Sequence, residues 1–130
     1  MSPTPRISDL PEKGRALFDE LAEELPVEAV GSLREEVRAH LEAFRTAARR
    51  NDLLPVDLAE ALAAALERLL DVYPHLSPDH RRLAVGAARY FVSDDDARPD
   101  MEGVLGLDDD VVVFNWVVRQ LDRRDMVLDV

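Results

Sequence analysis

Residues 93–111 read SDDDARPDMEGVLGLDDDV and form an acidic connector between two strongly apolar segments. This acidic connector holds one cation, Arg98, and eight carboxylates, so it carries −7 of the chain's net charge of −11. Crowded carboxylates repel one another until a cation or a helix N-terminus neutralises them. A functional site in this chain is therefore expected here, built from the acids Asp94, Asp95, Asp96, Asp100, Glu102, Asp108, Asp109 and Asp110.

The length of the chain, 130 residues, is sufficient for one domain with one hydrophobic core. Residues 1–8 are polar and contain two prolines, which predicts a flexible N-terminal tail before a single α-helical domain at residues 9–130. The absence of cysteine excludes disulfides and thiolate metal sites. No apolar run approaches the roughly 18 residues of a membrane-spanning helix, and no apolar signal segment is present. We expect a cytoplasmic protein without a membrane span.

Apolar residues recur every three or four positions in five segments, which predicts an all-α bundle of about five helices. Prolines suit the first helical position, and Ser77 and Asp108 are favourable N-caps. Asn51 is expected to close the second helix in the left-handed conformation. The predicted helices cover residues 11–25, 26–50, 55–73 and 78–91, with a fifth that starts at Asp108.

The fourth and fifth predicted helices should form a helical hairpin around the acidic connector. Arg98 precedes a proline and is expected to be extended, while Pro99 can begin a short helical turn that Gly103 and Gly106 end. Antiparallel neighbours joined in this way would bring the acids at 94–96 close to those at 108–110. The fifth helix is apolar on nearly every side, which places it inside the bundle or at a homodimer interface. Small residues in the fourth helix should let a neighbouring backbone approach closely: Ala84, Gly86, Ala87 and Ala88.

Part of this region resembles the hallmark of the YkvA-like family, an uncharacterised domain with a pattern close to Y-x-x-S-P-x-D-x-I-P-D, followed by G and then D-D. The likeness covers residues 83–121 and rests on Tyr90, Ser93, Asp96, Pro99, Asp100, Gly106, Asp109 and Asp110. The chain departs from the family where relatives have apolar or proline residues, so its loop is more strongly solvated. These departures are Asp94, Asp95, Arg98, Glu102, Gly103 and Asp108. The resemblance implies no particular activity or cofactor.

The acids of the connector have two interpretations. In the structural one, Asp108 caps the fifth helix, Asp109 and Asp110 lie in its first turn, and Asp96 and Asp100 cap the short turn or pair with Arg89. In the other, a divalent cation such as Mg²⁺ or Ca²⁺ is bound by Asp96, Asp100, Asp109 and Asp110. The spacing is not that of an EF-hand, because a loop starting at Asp94 would need glycine and glutamate where Pro99 and Leu105 stand.

Other candidate residues favour structural roles. His40, His75 and His80 lack the i, i+4 spacing of zinc hydrolases and are expected at the surface or at helix caps. Asn115 lies in the apolar fifth helix and is expected to reach back to the connector. Arginines on one face of the second helix alternate with Glu35, Glu36 and Glu42, which predicts an exposed, ion-paired surface. These arginines are Arg34, Arg38, Arg45 and Arg49.

The net acidity disfavours nucleic acid as a partner, because affinity for a phosphate backbone comes from clustered cations. No nucleophile motif or glycine-rich phosphate loop is present. We therefore expect a non-enzymatic protein-binding or regulatory module, with an unknown protein partner or self-association as a homodimer. The alternative is a divalent-metal-binding protein, or a metal-dependent enzyme, that uses the four aspartates of the connector.

Overall fold

A computed structural model describes residues 12–93 and 103–128 of the chain, and this part is built from five α-helices without β-strands. The predicted all-α bundle is therefore confirmed. None of the described helices is both long and apolar enough to cross a membrane. The helices are α1 (Glu12–Leu21), α2 (Val30–Ala48), α3 (Val56–Asp71), α4 (Pro78–Val92) and α5 (Gly103–Gln120), with 3₁₀ turns at Val27–Ala29, Tyr73–His75 and Arg124–Met126. The predicted tail at residues 1–8 and the turn around Pro99 lie outside the described residues.

The apolar stripes predicted for α2, α3 and α4 face one shared core. Val37, Leu62 and Phe91, one from each helix, are fully buried there. The Ser77 hydroxyl accepts a hydrogen bond from the His80 N–H at 3.3 Å, which confirms the predicted cap of α4. Helix α3 begins at Val56, one residue later than predicted, and Pro55 is its N-cap rather than its first residue.

The helices α2 and α3 pack as antiparallel neighbours. Ion pairs connect Arg34 with Asp71 at 2.6 Å, Arg38 with Glu67 at 2.7 Å and Arg45 with Glu60 at 2.9 Å. The residue numbers of each pair add to the same total, 105, so one helix ascends as the other descends. This ladder of ion pairs follows the register in which the buried stripes of the two helices pack.

The helices α1 and α4 meet at a glycine. A Cβ atom placed on Gly86 would lie 2.7 Å from a ring atom of Phe18 and 3.2 Å from the Cβ of Ala22. Real Cβ atoms do not approach another atom to 2.7 Å, so only glycine leaves room for the Phe18 ring in its present place. The prediction that small residues of α4 allow a close neighbour is confirmed.

The first helix ends at Leu21, four residues before the predicted end at Leu25. Two contacts from other parts of the chain explain the earlier end. Arg89 of α4 donates to the carbonyl oxygen of Leu21 at 3.1 Å, and Tyr73 binds the backbone of Leu25. Because these side chains satisfy groups that a longer helix would use internally, the helix can stop early.

The fifth helix begins at Gly103, five residues before the predicted start at Asp108. Asp108 is therefore not its N-cap, and Gly103 and Gly106 lie within the helix instead of ending a separate turn. The extension continues a buried stripe formed by Leu107, Val111, Phe114 and Val118. Burial of this stripe outweighs the roughly 1 kcal/mol by which each internal glycine disfavours a helix.

Candidate functional site

Two of the four candidate metal-binding aspartates, Asp96 and Asp100, lie outside the described residues, and the other two are consecutive residues of α5. Asp110 is only 3% exposed and shares a core-facing stripe with Val113 and Val117, whereas Asp109 is partly exposed. Both aspartates interact with other groups in the fold. They lie in the second turn of α5, so the expectation that they complement its first turn is wrong.

For the predicted metal site, the structure describes Asp109 and Asp110 but shows no cluster of ligands among the described residues. Within residues 12–93 and 103–128, no group of three acidic or histidine side chains is arranged to hold a cation. Asp109 and Asp110 could supply carboxylate oxygens, which are ligands that Mg²⁺ and Ca²⁺ prefer. A site with all four aspartates, Asp96 and Asp100 included, stays a prediction.

His40 is buried, which corrects the expectation of a surface position. Its side chain is 8% exposed, and its ring meets the edge of the Phe91 ring, with centroids 4.7 Å apart and planes inclined by 76°. The imidazole lies at the fourth position of a stripe that begins with Val30, Leu33 and Val37. The helical period therefore identified the buried face, and the polarity of histidine wrongly suggested solvent.

The end of α4 that leads into the acidic connector is ordered by its own side chains. Tyr90 is buried, and the Ser93 hydroxyl donates to the carbonyl oxygen of Tyr90 at 3.1 Å. The Ser93 N–H donates to the carbonyl oxygen of Arg89 at 2.9 Å. Two residues of the predicted family motif, Tyr90 and Ser93, thus have structural roles at the start of the connector.

Arg89 binds the end of α1, and the acids with which the sequence suggested that it pairs, Asp96 and Asp100, lie outside the described residues. Its guanidinium donates to the Glu23 carboxylate at 2.7 Å and to the carbonyl oxygen of Leu21 at 3.1 Å. A cation near the last carbonyl groups of a helix interacts favourably with the helix dipole. Arg89 therefore fixes the end of α1 to α4.

Asn115 binds the C-terminal segment, whereas the sequence had suggested the connector, most of which lies outside the described residues. Its Nδ2 donates to the carbonyl oxygen of Leu128 at 3.1 Å, and the Leu128 N–H donates to its Oδ1 at 2.7 Å. The next residue, Trp116, packs edge-on against Phe18 with ring centroids 5.9 Å apart. An asparagine within an apolar helix signalled that a hydrogen-bond partner exists, and only the fold identifies it.

The arginine face of α2 is ion-paired as predicted, but most of the acids come from α3. Among the interleaved glutamates, Glu42 pairs with Arg45. Of the acids on α3, Glu60 also binds Arg45, Glu67 binds Arg38 and Asp71 binds Arg34. The hydrogen bond from Arg38 lowers the pKa of Glu67, and partial burial opposes this effect. The bound glutamate in turn raises the pKa of Arg38.

A surface that the sequence did not single out lies between α2 and α3, and we call residues 49–56 the turn surface. Leu53 at its tip is 84% exposed, and Leu54, Pro55 and Val56 are partly exposed beside it. Asn51 holds the turn through its Oδ1, which accepts from the Leu53 N–H at 3.0 Å. The left-handed conformation expected for Asn51 is absent, because Asp122 is the one non-glycine residue with positive φ in the described chain.

Further backbone hydrogen bonds make the turn surface a defined structure. The Leu54 N–H donates to the carbonyl oxygen of Asn51 at 3.2 Å, and the Val56 N–H donates to that of Leu54 at 2.9 Å. Arg49 and Arg50, at the end of α2, are exposed on the same surface.

We compared the chain with protein-family models, with curated proteins and with solved structures, and found no match in any of the three comparisons.

Proposed function

We propose that this chain is a non-enzymatic protein-binding module whose contact surface is the turn surface, residues 49–56. The observation that carries the proposal is the 84% exposure of Leu53 on a turn held by its own hydrogen bonds. Among the described residues, Val27 is the next most exposed large apolar side chain, at 42%. The proposal includes membership of the YkvA-like family, based on the residues of the predicted motif.

The local order of the turn favours binding. Ordering a loop on association costs free energy, whereas a turn already fixed by Asn51 avoids most of that cost. Single exposed apolar residues are common on protein surfaces. The turn surface differs from that case because Leu54, Pro55 and Val56 extend the apolar area next to Leu53.

The charge of the turn surface indicates the chemistry of the partner. Residues 49–56 contain two arginines, Arg49 and Arg50, and one acid, Asp52, within a chain of net charge −11. A partner with an apolar pocket for Leu53 and carboxylates at the rim would be complementary in shape and charge. Such a pocket would remove Leu53 from water, which is worth about 1.5–3 kcal/mol for a fully buried leucine.

The proposal is tested by affinity capture from an extract of the source cells, with quantitative mass spectrometry of the bound proteins. Wild type is compared with Leu53→Ser and with Val27→Ser, a matched control on another surface. We expect at least one acidic protein to bind wild type and Val27→Ser and to be lost with Leu53→Ser. Equal binding of all proteins by wild type and Leu53→Ser would refute the role of the turn surface.

Divalent-cation binding by Asp96, Asp100, Asp109 and Asp110 is the second candidate function, either in a binding protein or in a metal-dependent enzyme. One observation favours it: Asp110 places a carboxylate, a ligand type that Mg²⁺ and Ca²⁺ prefer, on the buried face of α5. The melting temperature with millimolar Mg²⁺ or Ca²⁺ tests this candidate. A rise in wild type that is lost in Asp110→Asn would support it, and no rise would exclude it.

A further inference from the structure

We infer that the peptide bond between Arg50 and Asn51 is a cleavage site for an endoprotease that recognises arginine, and that the cleaved chain stays assembled as a bundle of two fragments. Cleavage adds water across this bond and leaves a carboxylate on Arg50 and an ammonium group on Asn51. The bond lies in the turn surface, but the inference does not depend on the proposed function.

The bond lies in the middle of an exposed stretch. Residues 49–53 are all exposed, and no longer run of exposed residues occurs in the part of the chain whose side chains are described. The helix α2 ends at Ala48 with Arg49 as its C-cap, so Arg50 and Asn51 are already outside it. Exposed loop tips are the places where folded proteins are cut most readily.

The hydrogen bonds that hold this stretch are local. The Arg50 N–H donates to the carbonyl oxygen of Ala47 at 3.0 Å, and the Asn51 N–H donates to that of Ala48 at 3.3 Å. The Asn51 side chain accepts from the Leu53 N–H at 3.0 Å. None of these bonds joins the turn to a distant element. The turn can therefore open into the extended form that a protease cleft binds without disturbing the core.

Three arginine pairs in the chain could enter a protease pocket that holds a carboxylate, at residues 49–50, 81–82 and 123–124. Arg81 lies in α4 and donates to the carbonyl oxygens of Tyr73 and Pro74 at 3.2 and 2.8 Å, so α4 must unwind before that pair becomes extended. The third pair precedes Met126, which is 8% exposed, and the Arg123 N–H donates to a carbonyl oxygen of α5 at 2.7 Å. The first pair is therefore the most accessible of the three.

Contacts across the cut hold the two fragments together. The ion pairs between α2 and α3 connect the fragments. Val37 of the first fragment is buried in the same core as Leu62 of the second, and Phe18 of the first lies against Gly86 of the second. Cleavage therefore alters the turn surface and leaves the bundle intact.

The competing explanation is that Arg49 and Arg50 are only solvated charges on a turn too rigid to enter a protease cleft. In that case the first cut within residues 12–128 falls at another arginine, such as Arg124, or occurs only when the whole chain unfolds. The position and rate of the first cut distinguish the two explanations.

The test is limited digestion of the folded full chain with an arginine-specific endoprotease, with sites and rates measured by mass spectrometry. Short peptides of matching sequence give the protease's own preference, and each rate is divided by its peptide rate. We expect the first cut within residues 12–128 to follow Arg50. It should be at least about tenfold faster than cuts after Arg82 or Arg124, because proteolysis of a folded chain follows the population of its open form.

A variant that keeps both arginines tests whether opening of the turn controls the cut. Asn51→Ala removes the side-chain bond to the Leu53 N–H, so the open form should be more populated and the cut about three- to tenfold faster, again relative to the matching peptide. Glu36→Gln, on an exposed part of α2, is the matched control and should be cut at the wild-type rate. Circular dichroism verifies that both variants are folded.

The state of the cleaved chain is the last measurement. Size-exclusion chromatography should give one species that contains both fragments, and circular dichroism should give the helix content of the uncut chain. The inference is wrong if the first cut within residues 12–128 follows another arginine, if Asn51→Ala is cut no faster than wild type, or if the fragments separate.

Discussion

The Tyr73 hydroxyl binds both backbone groups of Leu25: it donates to the carbonyl oxygen at 2.6 Å and accepts from the N–H at 2.8 Å. Tyr73 is fully buried, and its ring also lies under the guanidinium of Arg81, 5.2 Å from the ring centroid. A single hydroxyl therefore anchors the segment after α1 to the end of α3.

We expect Tyr73→Phe to lower the free energy of unfolding by about 1–3 kcal/mol, because it leaves two part-buried backbone groups without partners. The ring remains, so its packing and its contact with Arg81 are kept. Urea denaturation measures the change, and Tyr73→Ala should lose more because the ring is removed as well. If Tyr73→Phe is as stable as wild type, the hydroxyl does not anchor this segment.

The contact between Gly86 and Phe18 predicts opposite effects for two glycine-to-alanine variants. Gly86→Ala should destabilise by about 1–3 kcal/mol, because the new methyl group would overlap the Phe18 ring. Gly31→Ala should stabilise by about 0.5–1 kcal/mol, because its Cβ would meet nothing within 4 Å and alanine favours the helix. Thermal denaturation of both variants checks the prediction, and a stabilising Gly86→Ala would contradict the packing of α1 on α4.

Glu67 should make stability depend on pH. Its pKa is lowered in the folded chain by the hydrogen bond from Arg38, so its carboxylate stabilises the fold above its ordinary pKa of 4.5. This contribution is lost as the pH falls through the lowered pKa. We expect Glu67→Gln to cost about 1 kcal/mol or less at pH 7, and this cost should shrink as the pH falls below 4.5.

Chemical denaturation at a series of pH values measures this difference, with Glu36→Gln as the control. Glu36 is exposed on α2 and lies outside the ion pairs between α2 and α3. Its substitution should leave the pH dependence unchanged. A difference between wild type and Glu67→Gln that persists at low pH would show that the Arg38 ion pair is not its cause.

Because Asp122 has a left-handed backbone conformation, we expect its substitution by glycine to stabilise the fold. It ends α5 where the Asp122 N–H donates to the carbonyl oxygen of Arg119 at 3.1 Å and the Arg123 N–H donates to that of Val118 at 2.7 Å. These two bonds form a Schellman motif, in which glycine is the preferred residue at the left-handed position. Asp122→Gly should therefore stabilise by about 0.5–1 kcal/mol, and Asp122→Ala should be less stable than Asp122→Gly. Loss of stability in Asp122→Gly would contradict this account of the helix end.

The helical stripes were predictable because their periodicity is local. Val37, Leu62 and Phe91 lie on stripes whose spacing alone identifies the buried face. Helix ends were less predictable when distant residues determine them. The end of α1 depends on Arg89, 68 residues from Leu21, and the early start of α5 depends on the burial of Leu107.

The candidate site was predictable to a smaller extent. The sequence identified Asp109 and Asp110 as distinctive, but the burial of Asp110 follows from the helix that begins at Gly103 and not from its charge. For Asn115, polarity within an apolar stripe predicted a hydrogen bond, and the partner Leu128 depends on how the chain turns back after Asp122. The exposure of Leu53 could not be predicted, because the sequence of a turn does not show whether a leucine within it is exposed or buried.

The most direct test of the central claim, that the turn surface binds a protein partner, is the dissociation constant of the captured partner, measured by isothermal titration calorimetry with purified wild type, Leu53→Ser and Val27→Ser. We predict that Leu53→Ser weakens binding by about 10- to 100-fold, the loss expected when a buried leucine no longer contributes. Val27→Ser should bind like wild type. Equal dissociation constants for wild type and Leu53→Ser would contradict the claim.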